Sequence, residues 1–267
     1  MNDLDAAFAL SGADVKAYLA RLGLVGPFPP TAETLRLLHR AHLFTVPFEN
    51  LDIHLGRSIV LEERRLFDKV VREGRGGFCY ELNGLFAGLL RALGFEVTLL
   101  AAQVAGQNGV FGQEFDHLAL QVDVGEPFLV DVGFGDAFLE PLRLQPGLIQ
   151  REDLKTFRID QEGEVWTFWE RRGQNPWALQ YRFTRTPRDL AEFMSMCDYH
   201  QTSPDSHFTR APLATIATPL GRVTLRGSCL YTTLQGCRNE RTVTPEERPA
   251  LLHQYFGLRL PQLPDEC

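Results

Sequence analysis

The run Gly74-Arg75-Gly76-Gly77-Phe78-Cys79-Tyr80-Glu81-Leu82-Asn83-Gly84-Leu85-Phe86 changes character at its cysteine. Upstream, three glycines let the backbone approach its neighbours closely. Downstream, Leu82, Leu85, Phe86, Leu89, Leu90 and Leu93 recur at the three-and-four spacing of a helix that buries one face, and Gly94 stands where it should stop. Cys79 is therefore placed at a helix N-terminus, where free N–H groups and the positive end of the dipole favour a thiolate. A lone cysteine is more often a small buried apolar residue, so the reading rests on its partners elsewhere.

Toward the N-terminus, residues 11–23 read as a helix with Val15, Tyr18, Leu19 and Leu22 on one face and Gly23 as its stop. Pro27, Pro29 and Pro30 force a turn, Thr31 caps a second helix carrying Leu35, Leu38 and His42, and the chain loosens over Val46–Leu51. A third helix is expected from Leu61 to Glu73. With the cysteine helix these make a helical unit over 1–95.

After Gly94 the period shortens to two. Val97–Val104 is strand-like, His117–Val124 alternates, and Gly125-Glu126-Pro127 turns the chain into Phe128–Val132. Strands near 155–160, 164–171 and 177–184 follow, then a helix opened by Pro187 with Leu190, Phe193, Met194 and Cys197 at core spacing. The run of antiparallel pairs predicts a barrel or curved sheet, so 96–200 forms the second unit. Strands near 212–218, 222–226 and 229–234 precede a last helix with Thr244 as N-cap, Pro245 first, Glu247 completing a capping box and Gly257 as stop; 201–267 is the third unit. The fold class is α+β.

Composition narrows the function. Thirty-four acidic against 27 basic residues, interspersed, give a net charge of −7, which argues against nucleic acid and anionic membrane as partners. No basic leader opens Met1-Asn2-Asp3-Leu4-Asp5 and no apolar run reaches membrane-spanning length, so a cytoplasmic protein is expected. The five cysteines, at 79, 197, 229, 237 and 267, show no metal-ligand spacing, so reduced thiols and no metal are expected.

A cysteine nucleophile needs a base, and the base needs a group to orient it. His117 opens one strand of a hairpin and Asp131 lies in the next. With a three-residue connection, Val124–Glu126, Asp131 faces Ala119 and lies diagonal to His117 on the same face; a two-residue turn would send it to the other. An aspartate between Val130 and Val132 needs a partner in either case. The remaining histidines, at 39, 42, 54, 200, 207 and 253, have no comparable partner in sequence.

These residues carry a resemblance. Arg75-Gly76-Gly77-Phe78-Cys79, Asp116-His117-Leu118 and Val130-Asp131-Val132-Gly133-Phe134-Gly135, with Val46–Leu51 upstream and Ser203–Phe208 downstream, resemble the arylamine N-acetyltransferases in order and spacing over nearly the full length. The resemblance implies a helical bundle, a β-barrel and an α/β lid, and transfer of acetyl from acetyl-CoA to arylamines and hydrazines, or to hydroxylamine oxygen. Acetyl-CoA is then a co-substrate, with no tightly bound cofactor, in a monomer or homodimer. By residue it implies Cys79 as acyl carrier, His117 as base and Asp131 as orienter. It further implies Phe48, Phe134 and Phe208 around the amine, Gly133 and Gly135 where backbone meets cofactor, and Glu49–Arg75 as a bracing ion pair. Amide synthases that release polyketides share the machinery, and a Cys-His-Asp hydrolase is a further alternative.

Overall fold

Ser11 and Asp14 start the first helix by capping each other: each side chain accepts from the other's backbone N–H at 3.2 Å. The computed structural model describes residues 9–106 and 109–260. The leader reading on residues 1–5, Cys267 and the tail beyond 260 therefore lie outside the described residues. In chain order the first elements are α1 (Gly12–Arg21), α2 (Ala32–Thr45), β1 (Phe48–Glu49), α3 (Leu51–His54), α4 (Glu63–Phe67) and α5 (Cys79–Ala92). The helix expected over Leu61–Glu73 is only partly regular: after α4 it widens into a π-turn, Asp68–Arg72. From that turn Lys69 reaches Asp52 and Glu81, each at 2.7 Å.

The cysteine helix forms where its leucine spacing places it, with Leu82, Leu85, Phe86, Leu89 and Leu90 all buried. It packs on the first strands of a barrel made of β2 (Glu96–Val104), β3 (His117–Asp123), β4 (Pro127–Val130), β5 (Leu142–Arg143), β6 (Ile149–Glu152), β7 (Lys155–Glu162), β8 (Val165–Arg172) and β9 (Ala178–Thr184). The order is β5-β4-β3-β2-β9-β8-β7-β6, antiparallel throughout and nearly closed. Side chains bridge the seam. Gln150 on β6 accepts from the Arg143 N–H at 2.8 Å and donates to the Arg143 carbonyl at 3.2 Å, while Glu152 accepts from the Leu139 and Glu140 N–H groups. Phe138, Phe157, Phe168 and Tyr181 fill the interior.

The helix expected from Pro187 begins later. The Arg188 N–H instead donates to the Leu99 carbonyl at 3.1 Å, holding this stretch against β2. A 3-10 turn, Leu190–Phe193, then leads into α6 (Met194–Thr202). Phe193 and Cys197 are buried as expected, whereas Met194 is exposed, displaced by the later start.

The last elements are β10 (Leu213–Thr218), β11 (Gly221–Arg226), β12 (Cys229–Leu234), β13 (Cys237–Thr242) and α7 (Arg248–Phe256). Glu247 accepts from the Thr244 N–H at 2.9 Å as anticipated, but residues 245–247 form only a turn and α7 starts three residues later. Gly257 ends it at φ 70°. The strand β13, all of whose residues are exposed, carries no alternating apolar signal and was not anticipated. The sheet order is β1-β10-β11-β12-β13, so a strand from the first hundred residues forms one edge of the C-terminal sheet. Asn50 locks that crossing by accepting from the Leu213 N–H at 2.7 Å and donating to the Phe208 and Ala211 carbonyls. No helix among the described residues is long and apolar enough to cross a membrane.

Candidate active site

Phe78 precedes α5 with an extended backbone, and its N–H donates to Glu81 Oε2 at 3.0 Å, so Cys79 enters the first helical turn. The hairpin turn is three residues long: Leu120 pairs with Val130 and Asp123 with Pro127, leaving Val124–Glu126 as the connection. The side chains of His117 and Asp131 meet accordingly, with Nε2 2.7 Å from Oδ2, and both residues are buried. Cys79 and His117 line one cavity of about 350 Å³ together with Phe48, Gly133, Phe134 and Phe208. Fold and register thus bring together the residues singled out in the sequence.

Asp131 accepts four hydrogen bonds. Oδ2 takes those of His117 Nε2 at 2.7 Å and Tyr181 OH at 3.1 Å; Oδ1 takes those of Asn83 Nδ2 at 2.8 Å and the Gly133 N–H at 3.0 Å. Burial alone would raise this carboxyl, but His117, Asn83 and Gly133 together hold it below the ordinary carboxylate range. It is therefore an anion, and His117 Nε2 must be the donor. That leaves Nδ1 as the ring's acceptor.

The Cys79 sulfur has a different balance. Burial pushes the thiol well up, the Leu118 backbone N–H opposes this, and the charges of Asp131 and Asp116 add to the rise. Burial thus works against the thiolate that a helix start favours. His117 lines the same cavity as Cys79.

Two supporting residues lacked any sequence signal. Asn83, one turn into α5 from Cys79, donates to the Leu118 carbonyl at 2.6 Å and accepts from the Val132 N–H at 2.9 Å, tying the helix to β3 and to the segment just after β4. His39 on α2 accepts from the Asp131 N–H at 3.3 Å and contacts the Leu139 carbonyl through Nδ1 at 2.9 Å. Burial pushes His39 down to about 4, so it is neutral. Their partners lie 35 and more positions away in the chain, beyond the reach of periodicity.

The glycines after Asp131 have packing reasons. A Cβ on Gly133 would stand 2.8 Å from Cys79 Cα and from Asn83 Nδ2, and Gly135 adopts φ +91° beside Phe48. Phe134 stands edge-on to the His117 ring at 5.2 Å, and Phe48 lies 6.1 Å from Phe208. Glu49 and Arg75 pair at 2.8 Å, fully buried, and Arg75 also holds Asp52 at 2.9 Å. The cavity further includes Asp116, His207, Thr215, Thr224, Asp136 and Arg222.

A family model described as N-acetyltransferase matches residues 31–263. The arylamine N-acetyltransferase / N-hydroxyarylamine O-acetyltransferase of Salmonella typhimurium is 36% identical over 91% of this chain and 88% of its own length. Its solved relative, the arylamine N-acetyltransferase from Salmonella typhimurium, superposes with a TM-score of 0.87 at 35% identity, covering 92% of this chain and 91% of that one. The Mycobacterium marinum arylamine N-acetyltransferase, solved in complex with CoA, superposes with a TM-score of 0.84 at 31% identity over 91% of this chain and 92% of that one.

Proposed function

The chain belongs to the arylamine N-acetyltransferase family, and on that premise we propose that it moves acetyl from acetyl-CoA to arylamines and hydrazines, or to hydroxylamine oxygen, through an acetyl-Cys79 thioester. The observation that carries this reading is Cys79 in the first turn of α5, sharing a cavity with His117, whose Nε2 is held by the buried Asp131.

In the first half-reaction the Cys79 proton passes to His117 Nδ1 and the sulfur attacks the thioester carbonyl. Asp131 stabilises the resulting imidazolium. Backbone N–H groups at the start of α5 serve the oxyanion. Collapse breaks the carbonyl–sulfur bond to CoA, whose thiolate takes the proton from His117. In the second half the amine nitrogen attacks acetyl-Cys79, His117 accepts the amine proton, and the Cys79 thiolate leaves. His117 then returns this proton to the Cys79 thiolate, closing the cycle.

Phe48, Phe134 and Phe208 offer ring faces and edges to an aromatic acceptor. Gly133 and Gly135 keep the loop backbone close to the cavity, where the acetyl donor would enter. Incubation with acetyl-CoA alone should add one acetyl group to Cys79 by intact mass, and an aniline should then discharge it. Initial rates should give parallel double-reciprocal lines. Intersecting lines with no adduct would refute the mechanism, and release of free acetate in place of acetylaniline would identify a hydrolase.

A further inference from the structure

Besides His117 and Asp131, another histidine and aspartate pair beside the cavity. Asp116 directly precedes His117, and its carboxylate lines the same space as Cys79. His200 of α6 is buried, with Nε2 3.2 Å from Asp116 Oδ1 and Nδ1 3.1 Å from Ser206 Oγ. Ser206 Oγ accepts from the Phe208 N–H at 3.2 Å, which leaves its own proton for His200 Nδ1. His200 therefore carries its proton on Nε2, toward Asp116.

These contacts engage Oδ1 and leave Oδ2. No hydrogen bond to Asp116 Oδ2 is found among the described residues. A Cβ on Gly112 would stand 2.3 Å from that oxygen, so the glycine leaves the carboxylate its place. Neighbours along a strand face opposite ways, yet Asp116 and His117 share one cavity. Asp116 stands just before β3, after Phe115 at φ 63°, a left-handed conformation unfavourable for a phenylalanine. Tyr80, next to Cys79 in the chain, holds this kink: its hydroxyl is shared between the Phe115 carbonyl at 2.8 Å and the Asp116 carbonyl at 3.2 Å. Backbone strain beside a cavity points to function.

For the free thiol this carboxylate is unfavourable, since the charge of Asp116 adds to the rise of Cys79. Its use lies where positive charge develops. When an amine attacks acetyl-Cys79, the nitrogen lone pair bonds to the carbonyl carbon, the carbonyl pair moves onto oxygen, and the nitrogen becomes cationic.

We propose that Asp116 Oδ2 accepts an N–H of the attacking amine and stabilises the positive charge on its nitrogen, a catalytic role confined to the second half-reaction. The inference rests on the acetyl-transfer reading above. A primary amine brings two N–H bonds. His117 takes one hydrogen as a proton, while the other stays on nitrogen and bonds to Asp116 through the transition state. The oxyanion then re-forms the carbonyl, the carbon–sulfur bond breaks toward Cys79, and His117 returns its proton to the thiolate. The product amide keeps the second N–H. A charge-assisted bond of this kind strengthens as the nitrogen becomes cationic. A thiol acceptor brings no N–H and develops no positive charge, so it gains nothing from Asp116.

The test uses the full chain, charged with acetyl by acetyl-CoA and desalted. Rapid-quench intact mass follows three steps: the charging itself, discharge to 4-methoxyaniline and discharge to CoA. Asp116→Asn should slow discharge to the amine on the order of tenfold, and Asp116→Ala, which removes the accepting atoms as well, on the order of ten- to a hundredfold. Charging and discharge to CoA should not be slowed, because the carboxylate that opposes the thiolate is gone. Equal slowing of all three steps would make Asp116 a structural residue, and an unslowed amine step would leave it no part in transfer; either result overturns the proposal. Failure of the acetyl-transfer reading itself looks different: wild-type Cys79 then takes up no acetyl.

Discussion

Replacing Asp131 by asparagine changes one atom and sets a donor against donors. All four partners of the carboxylate, His117 Nε2, Tyr181 OH, Asn83 Nδ2 and the Gly133 N–H, point hydrogens at it. An asparagine must turn its NH2 toward one pair. Against the Asn83 side it would face the Gly133 backbone N–H, which cannot reverse. Facing His117, it forces the ring to accept at Nε2 and carry its proton on Nδ1, the nitrogen the thiol needs. Asp131→Asn should therefore slow acetylation of Cys79 by roughly a thousand- to ten-thousandfold, the cost of holding a catalytic histidine in the wrong tautomer.

Stability should fall by less, about 2–3 kcal/mol, because weakened charge-assisted bonds are partly offset by no longer burying a carboxylate. Rapid-quench intact mass reads the first quantity and urea unfolding the second. The Asp131 carboxyl is held below its unfolded value, so its contribution is present above about pH 4 and is lost as pH falls through the folded value. Asp131→Asn should lack that acid-labile component. Acetylation within tenfold of wild type, in a folded variant, would refute the orienting role.

Three further predictions follow from the packing. His39 and His42 are pushed down by burial to about 4 and about 3, so the unfolded chain binds protons from about pH 6.5 downward while the folded one does not. The unfolding free energy from urea titration should drop across that window, by about 3 kcal/mol for His39 alone, and His39→Gln should flatten the slope even if it lowers stability overall. Gly133→Ala should cost about 1–3 kcal/mol and slow Cys79 acetylation, since its methyl would press on the Cys79 backbone; wild-type melting would contradict the close approach. Glu49→Gln leaves Arg75 with only Asp52 in a buried site and should destabilise by about 3–5 kcal/mol, measured by denaturant unfolding.

Alkylation offers a comparison between two buried thiols. Burial pushes Cys197 up to about 12, with Gln201 as its hydrogen-bond partner. Cys79 has a cavity and His117 beside it. Iodoacetamide should label Cys79 much faster than Cys197 by peptide mass mapping, and His117→Gln should erase most of the difference.

What could be read from the sequence was local. The leucine spacing after Cys79 requires a helix beginning there, and a three-residue turn puts Asp131 diagonal to His117, because side chains alternate strictly along a strand. Ends of elements were less legible. The starts at Pro187 and Thr244 were displaced by hydrogen bonds to residues elsewhere or by a turn that does not close into a helix.

Only the tertiary structure decided how the site is held and what its far wall offers. Asn83, His39 and Tyr181 find the hairpin across 35 to 92 positions, β1 joins a sheet formed by the last third of the chain, and Arg222 meets Asp136 across the cavity. Hydrogen bonds and charge pairs of this kind satisfy buried polar groups regardless of chain separation, so no periodicity records them. The thiol at the helix start was legible; that burial raises it, against the pull of the helix start, was not.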